Sequence, residues 1–246
     1  MTDLLAAEWL KLRTTRLLYG TIPLALVLSG AAVAGEILTG HGTGPGGLET
    51  GEGIRRLFAV SGTGAIVVLV VGIIIAAGEY RHGTAADTFL TTPRRHRVVT
   101  AKLAVSALVG LLAGVLVAMV SLGIAAALYP VKEATFPLGD REVWLTLAGV
   151  PVYTSLFALL GVGVGALARN QTLAVASALA WFAVVEHTLV NLAPDIGKWL
   201  PAAAGQAIVR TPIDGLLSPL AGAVLLAAYG VAISTLGVRT ATGRDA

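Results

Sequence analysis

A chain of 246 residues with 56% apolar and 13% charged side chains, at a mean hydropathy of +0.83, is too poor in charge for a soluble domain, where about a quarter of residues are charged. The absence of cysteine rules out disulfides, thiolate metal sites and cysteine nucleophiles together. A formal charge of +3 is too small to point to nucleic acid. The expected fold is all-α, a single polytopic membrane domain over residues 1–246.

The amino-terminal segment, residues 1–16, has structure of its own. In "TDLLAAEWLKLRTTRLL", Leu5, Trp9 and Leu12 recur at helical spacing, whereas Glu8, Lys11 and Thr15 are expected on other faces. Such a helix either lies in the membrane interface, with Trp9 at headgroup depth and Lys11 and Arg13 near anionic lipid, or simply caps the first span. Crossing a hydrocarbon core of about 30 Å takes about 20 apolar residues, and Leu17 to Leu38 is the first such run. The cations before it and Ala32-Val33-Ala34 within it resemble a secretory signal. The run is longer than the usual signal core of about 7–15 residues, which argues for a retained span. The stretch that follows, "TGHGTGPGGLETGEG", is rich in glycine, has little to bury and is expected to be mobile, with His41 exposed in it. A second continuous span is expected from Leu57 to Gly78.

Residues 79–100 concentrate charge in an otherwise oily chain. Gly83 allows a sharp entry, Thr84 can cap a short helix, and Asp87 three residues on can reach back in a shortened capping box. That helix, about Ala85 to Thr91, presents Phe89 and Leu90, which a solvated connector has no need to expose. Thr92-Pro93 then forms a second N-cap with proline at the first helical position. From there a helix runs through Arg94, Arg95, His96 and Arg97 into a third span, Ala101 to Tyr129.

Further spans are expected at Val143–Ala168, Thr172–Leu192 and Leu216–Val238, with helices favoured over a barrel because the runs have helix length and no alternating polar pattern. Gly110 with Gly114, and Gly161 with Gly165, place small residues four apart for close helix packing. Glu186 and His187 are an ionisable pair late in the fifth span, where charge in lipid is expensive. Three roles stay open for them: lining a substrate path, proton or metal chemistry, or a structural hydrogen bond. Adjacent helical residues point about 100° apart and make a poor bidentate metal site. Residues 193–215 are expected to form short interfacial helices around Trp199, Leu200 and Ile208, punctuated by Pro194, Pro201 and Pro212.

Lys and Arg divide unevenly across the spans. Lys11, Arg13, Arg16, Arg81, Arg94, Arg95, Arg97, Lys102, Arg169, Arg239 and Arg244 share one side, eleven in all, against six on the other. The richer side, with both termini and residues 79–100, is expected to be cytoplasmic.

"EWLKLRTTR", then "EYRHGT" and "TFLTTPRRHRVVTAK", then six spans in about 250 residues, together resemble the permease subunit of an ABC-2 type transporter over essentially the whole chain. The resemblance implies an elbow helix carrying Leu5, Trp9, Lys11, Leu12 and Arg13. It implies a coupling helix between the second and third spans, whose contacts with an ATP-binding subunit are carried by Glu79, Arg81, Gly83, Thr84, Asp87, Phe89, Leu90, Pro93, Arg94 and Arg95. It also implies a second copy of the chain, export across the plasma membrane, ATP and Mg²⁺ held by the partner ATPase, and no cofactor or metal on this chain. By position alone, residues 193–215 would correspond to the family's short extracellular helices. The only Gly-Lys pair near a phosphate-loop pattern, in "DIGKW", lacks the upstream glycine and has Trp199 where the metal-binding hydroxyl belongs. The chain is therefore expected to be a transport subunit and not itself an enzyme. The alternatives are a stand-alone intramembrane enzyme or an ion-coupled secondary carrier using Glu186 and His187.

Overall fold

The computed structural model describes residues 2–39, 47–81 and 95–242. All regular structure among them is helical. Six helical stretches are long and apolar enough to cross a membrane: Leu17–Thr39, Gly51–Glu79, Arg97–Lys132, Arg141–Ala168, Gln171–Leu192 and Pro219–Gly237. The architecture is that of an all-α protein and fits a multi-pass membrane protein.

In chain order the helices are α1 (Thr2–Thr14), α2 (Leu17–Thr39), α3 (Gly51–Ala59), α4 (Ala65–Arg81), α5 (Arg95–Leu128) and α6 (Arg141–Ala168). They continue as α7 (Gln171–Ala180), α8 (His187–Leu192), α9 (Pro194–Gly197), α10 (Pro201–Ile208) and α11 (Pro219–Thr242). The bundle has two distinct ends. At the proximal end α1 lies across the close of α4 and the start of α5. The distal end gathers the other connections: the Tyr129 hydroxyl donates to the Leu48 carbonyl at 2.9 Å, Lys132 donates to the Leu38 carbonyl at 2.8 Å, and Arg55 and Arg210 flank Glu142.

Central α6 packs against α4, α5 and α11, and small residues let the backbones approach. Gly161 of α6 stands over the Leu69 carbonyl of α4, while Gly72 of α4 stands over the Ala158 carbonyl of α6, so that a Cβ on either would strike backbone oxygen. Gly165 sits against Ile73 in the same way, and Gly110 and Gly114 of α5 rest on Thr154 and Pro151 of α6. Both glycine pairs expected to mediate packing therefore do so within the chain. Hydroxyls reinforce the α5–α6 seam: Thr154 donates to the Gly110 carbonyl at 2.8 Å, Ser155 to Ala107 at 2.9 Å and Ser106 to Ala158 at 3.2 Å.

Two expected continuous spans are interrupted. The second breaks into α3 and α4 at a 3₁₀ turn, Val60–Gly64, whose sequence "VSGTG" couples two glycines with two hydroxyl residues. Ser61 donates to the Phe58 carbonyl and Thr63 to Val60, each at 2.6 Å, and the Gly64 N–H donates to Ser29 Oγ of α2 at 3.1 Å. The fifth span contains a π-helical turn, Trp181–Glu186, between α7 and α8.

Two connectors also differ from expectation. The end of the glycine-rich stretch is ordered against the bundle: Leu48 is buried, and the Thr135 N–H donates to the Glu49 carboxylate at 2.7 Å. His41 lies outside the described residues. In the second connector, α9 and α10 start at Pro194 and Pro201, two of the prolines expected to punctuate it, but α10 is inserted into the bundle instead of lying at an interface. Its Ala204, Ala207 and Ile208 are buried, with Gly222 of α11 against the Ala204 carbonyl and Gly149 of α6 against that of Ile208.

The crossing of α4 and α6 makes a direct test. Gly161→Ala forces a methyl into the Leu69 carbonyl and should destabilise the protein by about 1–3 kcal/mol, the usual range for overpacking. Gly123→Ala in α5, where an added Cβ meets nothing, should be neutral or slightly stabilising. Thermal unfolding of the two variants in detergent distinguishes them.

Candidate functional site

Helix α1 uses its apolar stripe on protein. Leu12 is buried with Val71 and Ile75 of α4 and Val105 and Val109 of α5, and Leu5 and Trp9 pack around that cluster. Glu8 was expected on another face, yet it shares this one, because positions 5, 8 and 12 are neighbours at steps of three and four. Its carboxylate is carried inward, and the residue is 5% exposed.

Two lysines receive it. Lys102 of α5 donates to Glu8 Oε2 at 2.8 Å, to Glu79 Oε1 at 2.9 Å and to the Ile75 carbonyl at 3.3 Å. Lys11, one helical turn from Glu8, donates to Glu8 Oε1 at 2.7 Å and to Glu79 Oε1 at 2.6 Å. Two carboxylates and two ammonium groups thus close a neutral network joining α1, the end of α4 and the start of α5. Burying one such ion alone costs several kcal/mol, and only a closed, hydrogen-bonded set offsets the loss of water. Desolvation lowers the pKa of Lys11, but its bonds to Glu79 and Glu8 outweigh this and hold it above the ordinary lysine value.

This network involves some of the expected site residues and turns them inward. Glu79, expected to meet a partner, gives its carboxylate to Lys102 and Lys11. Arg13 is exposed. Arg81 ends α4 and Arg95 begins α5. Gly83, Thr84, Asp87, Phe89, Leu90, Pro93 and Arg94 lie outside the described residues. Lys102 was legible only as a topology charge. The signal for more was its position inside the third apolar run, where an ammonium needs a carboxylate.

At the distal end Glu186 has a structural task. Its Oε1 accepts from the N–H groups of Ala202 and of Ala203, the latter at 3.4 Å, and its Oε2 accepts from the Trp181 indole at 3.2 Å. Ala202 and Ala203 belong to the first turn of α10, whose N-cap, Leu200, has no side-chain acceptor. Glu186 supplies that cap from another helix, and the helix dipole favours a carboxylate there. The π-helical turn ends on this residue. His187 is exposed while Glu186 is 1% exposed. The structure thus separates the pair, and among the described residues no three His, Asp or Glu side chains converge as a metal site would need.

No family model matches the chain, and no curated protein matches its sequence.

Two outcomes are expected from these arrangements. Lys102→Met leaves two buried carboxylates sharing one half-exposed lysine, and should cost about 3–5 kcal/mol, as breaking a buried ion pair does. Adding Glu79→Gln to that variant should restore a large part of it, measured by thermal unfolding. At the other end, Glu186→Ala orphans the first N–H groups of α10 and should cost about 1–3 kcal/mol, whereas Glu186→Gln keeps an acceptor and should lose less than half as much.

Proposed function

We propose that this chain is the membrane-spanning permease subunit of an ABC-2 type transporter, seated in the plasma membrane with both termini cytoplasmic. A separate ATP-binding subunit drives it, and a second copy of the chain completes the transporter, which exports a lipophilic or amphipathic compound. In this reading α1 is the elbow helix, and the segment between α4 and α5 carries the coupling helix that meets the ATPase. ATP and Mg²⁺ are bound by that partner.

The observation that carries the reading is the ion network at the root of that segment. Glu79 precedes it, Lys102 follows it, and Glu8 and Lys11 bind both to α1. A segment that receives force needs ends that do not slip. Here, pulling either end away unpairs buried charge, so α1, α4 and α5 move as one block. The Gly161–Gly72 crossing passes that motion to α6, because backbones in direct contact leave no slack.

The rival readings, an intramembrane enzyme or an ion-coupled carrier, rest on Glu186 and His187. The occupation of the Glu186 carboxylate by three donors, with His187 on an exposed face, weighs against both.

Phe89 and Leu90 are the chosen anchors of the coupling helix. Tagged chain purified from its native membrane should bring down an ATP-binding subunit, and replacing both residues by aspartate should reduce the recovered subunit at least tenfold. Undiminished recovery from the Phe89→Asp/Leu90→Asp variant would remove the docking assignment. If the unaltered chain recovers no nucleotide-hydrolysing partner, the transporter reading itself fails.

A further inference from the structure

Three cavities adjoin one another through shared wall residues, from the cleft beside α7 to the distal connections. The first, about 490 Å³, is a cleft between α6, α7, the π-helical turn and α11, walled by Leu160, Val164, Trp181 and Ile233 among others. The second, about 360 Å³, lies under α10 against the 3₁₀ turn of the second span, and its walls mix Phe157 and Val209 with Tyr153, Thr63 and Gln206. Phe182 belongs to the walls of both. A third, about 370 Å³, shares Thr211 and Ile213 with the second and has Arg55, Arg210, Glu52 and Asp214 in its walls. Polarity therefore rises from one cavity to the next, from hydrocarbon through hydroxyl and amide to charge.

The middle chamber is specific in what it offers. No charged side chain is among the residues that line it or the cleft, so neither could compensate a full charge taken from water. Gln206 is in the wall of the chamber, and no hydrogen bond within the chain holds its buried Oε1, so the side chain can turn its amide oxygen toward a ligand hydroxyl. Tyr153 is held firmly in place. Its ring lies between Gly62 of the 3₁₀ turn and Gly205 of α10, both without a Cβ to displace it, and meets Phe157 edge-on at 4.6 Å. The outer cavity is lined by two arginines and two carboxylates, which balance in formal charge. Each volume falls within the range of small-molecule pockets.

We propose that these cavities form one binding site for a neutral, single-chain amphiphile. The chain occupies the cleft between α6, α7 and α11, and a hydroxylated head sits in the chamber under α10 and donates to Gln206, with Phe182 marking the boundary between the two. The proposal refines the cargo class of the transport reading, but the binding step it describes needs no ATPase.

Trp181 in the cleft wall reports occupancy. The full-length chain, with Trp9, Trp144 and Trp199 replaced by phenylalanine, is placed in phosphatidylcholine nanodiscs and titrated with a monoacylglycerol brominated on its acyl chain. Saturable quenching of Trp181 is expected, stronger than that from phosphatidylcholine brominated at the same carbons. Gln206→Leu should raise the half-saturating concentration about fivefold, the effect of one neutral hydrogen bond. Ser177→Phe, which fills the cleft, should abolish saturable quenching, whereas Leu192→Phe, on an exposed surface outside the cavities, should leave it unchanged. The same brominated chain bearing a carboxylate or a trimethylammonium head should bind at least tenfold more weakly. The site is overturned if quenching does not saturate or matches that of the two-chain lipid, and equally if Gln206→Leu has no effect or charged heads bind as well as neutral ones. Binding is read without a partner chain, so its failure leaves the transport reading standing. Loss of ATPase recovery in the copurification experiment would likewise leave this site standing.

Discussion

A backbone N–H or C=O left without a partner in an apolar surround costs several kcal/mol, and this chain departs from straight helix in places where water cannot supply the partner. Several of these departures are repaired by side chains from close by. Ser29 of α2 reaches the Gly64 N–H at the break in the second span, Ser61 and Thr63 return to carbonyls of the turn before them, and Glu186 caps α10 from the preceding span. The repairs fix the geometry as well as the energy. They seat α10 and the 3₁₀ turn against opposite edges of the Tyr153 ring, and so shape the distal half of the bundle.

Charge is handled differently at the two ends. The proximal network uses bonds of 2.6–2.9 Å between Lys102, Lys11, Glu8 and Glu79, three of them with side chains no more than 10% exposed. At the distal end Arg55 and Arg210 approach Glu142 only to 3.8 and 3.9 Å and remain about a third exposed. Pairs of that kind contribute between nothing and about 1 kcal/mol. Charge is thus buried and closed at one end of the bundle and loosely paired at the other, where apolar packing around Phe58 and Tyr129 holds the helices together.

The sequence shows the six spans because their signal is additive: twenty apolar residues announce themselves whatever their partners are. The N-terminal helix and the proline starts of α9 and α10 were legible for local reasons, a spacing in one case and a missing N–H in the other. What stayed hidden was pairwise. Glu8 looked like a surface residue until Lys102, 94 positions away, met it. For Glu186 a structural hydrogen bond was one of three open readings, and only the fold shows that its oxygens are taken by α10 and by Trp181. The break at "VSGTG" was lost within an apolar average, although two glycines and two hydroxyls in five residues were the local sign of it.

These features meet on one element. Helix α4 carries Glu79 at its proximal end and joins the 3₁₀ turn at its distal end, so its 17 residues form a rod of about 25 Å between the ion network and the wall of the chamber. Its side is fixed to α6 by the reciprocal glycine contact, which holds the two backbones against each other. A 3₁₀ helix rises about 2.0 Å per residue and an α-helix about 1.5 Å, so the five residues of the turn can change length by about 2–3 Å if they convert. Gly62 and Thr63, which line the chamber, lie within those five. The turn is therefore a stretch of the second span whose length can change, and Tyr153 rests against it at Gly62.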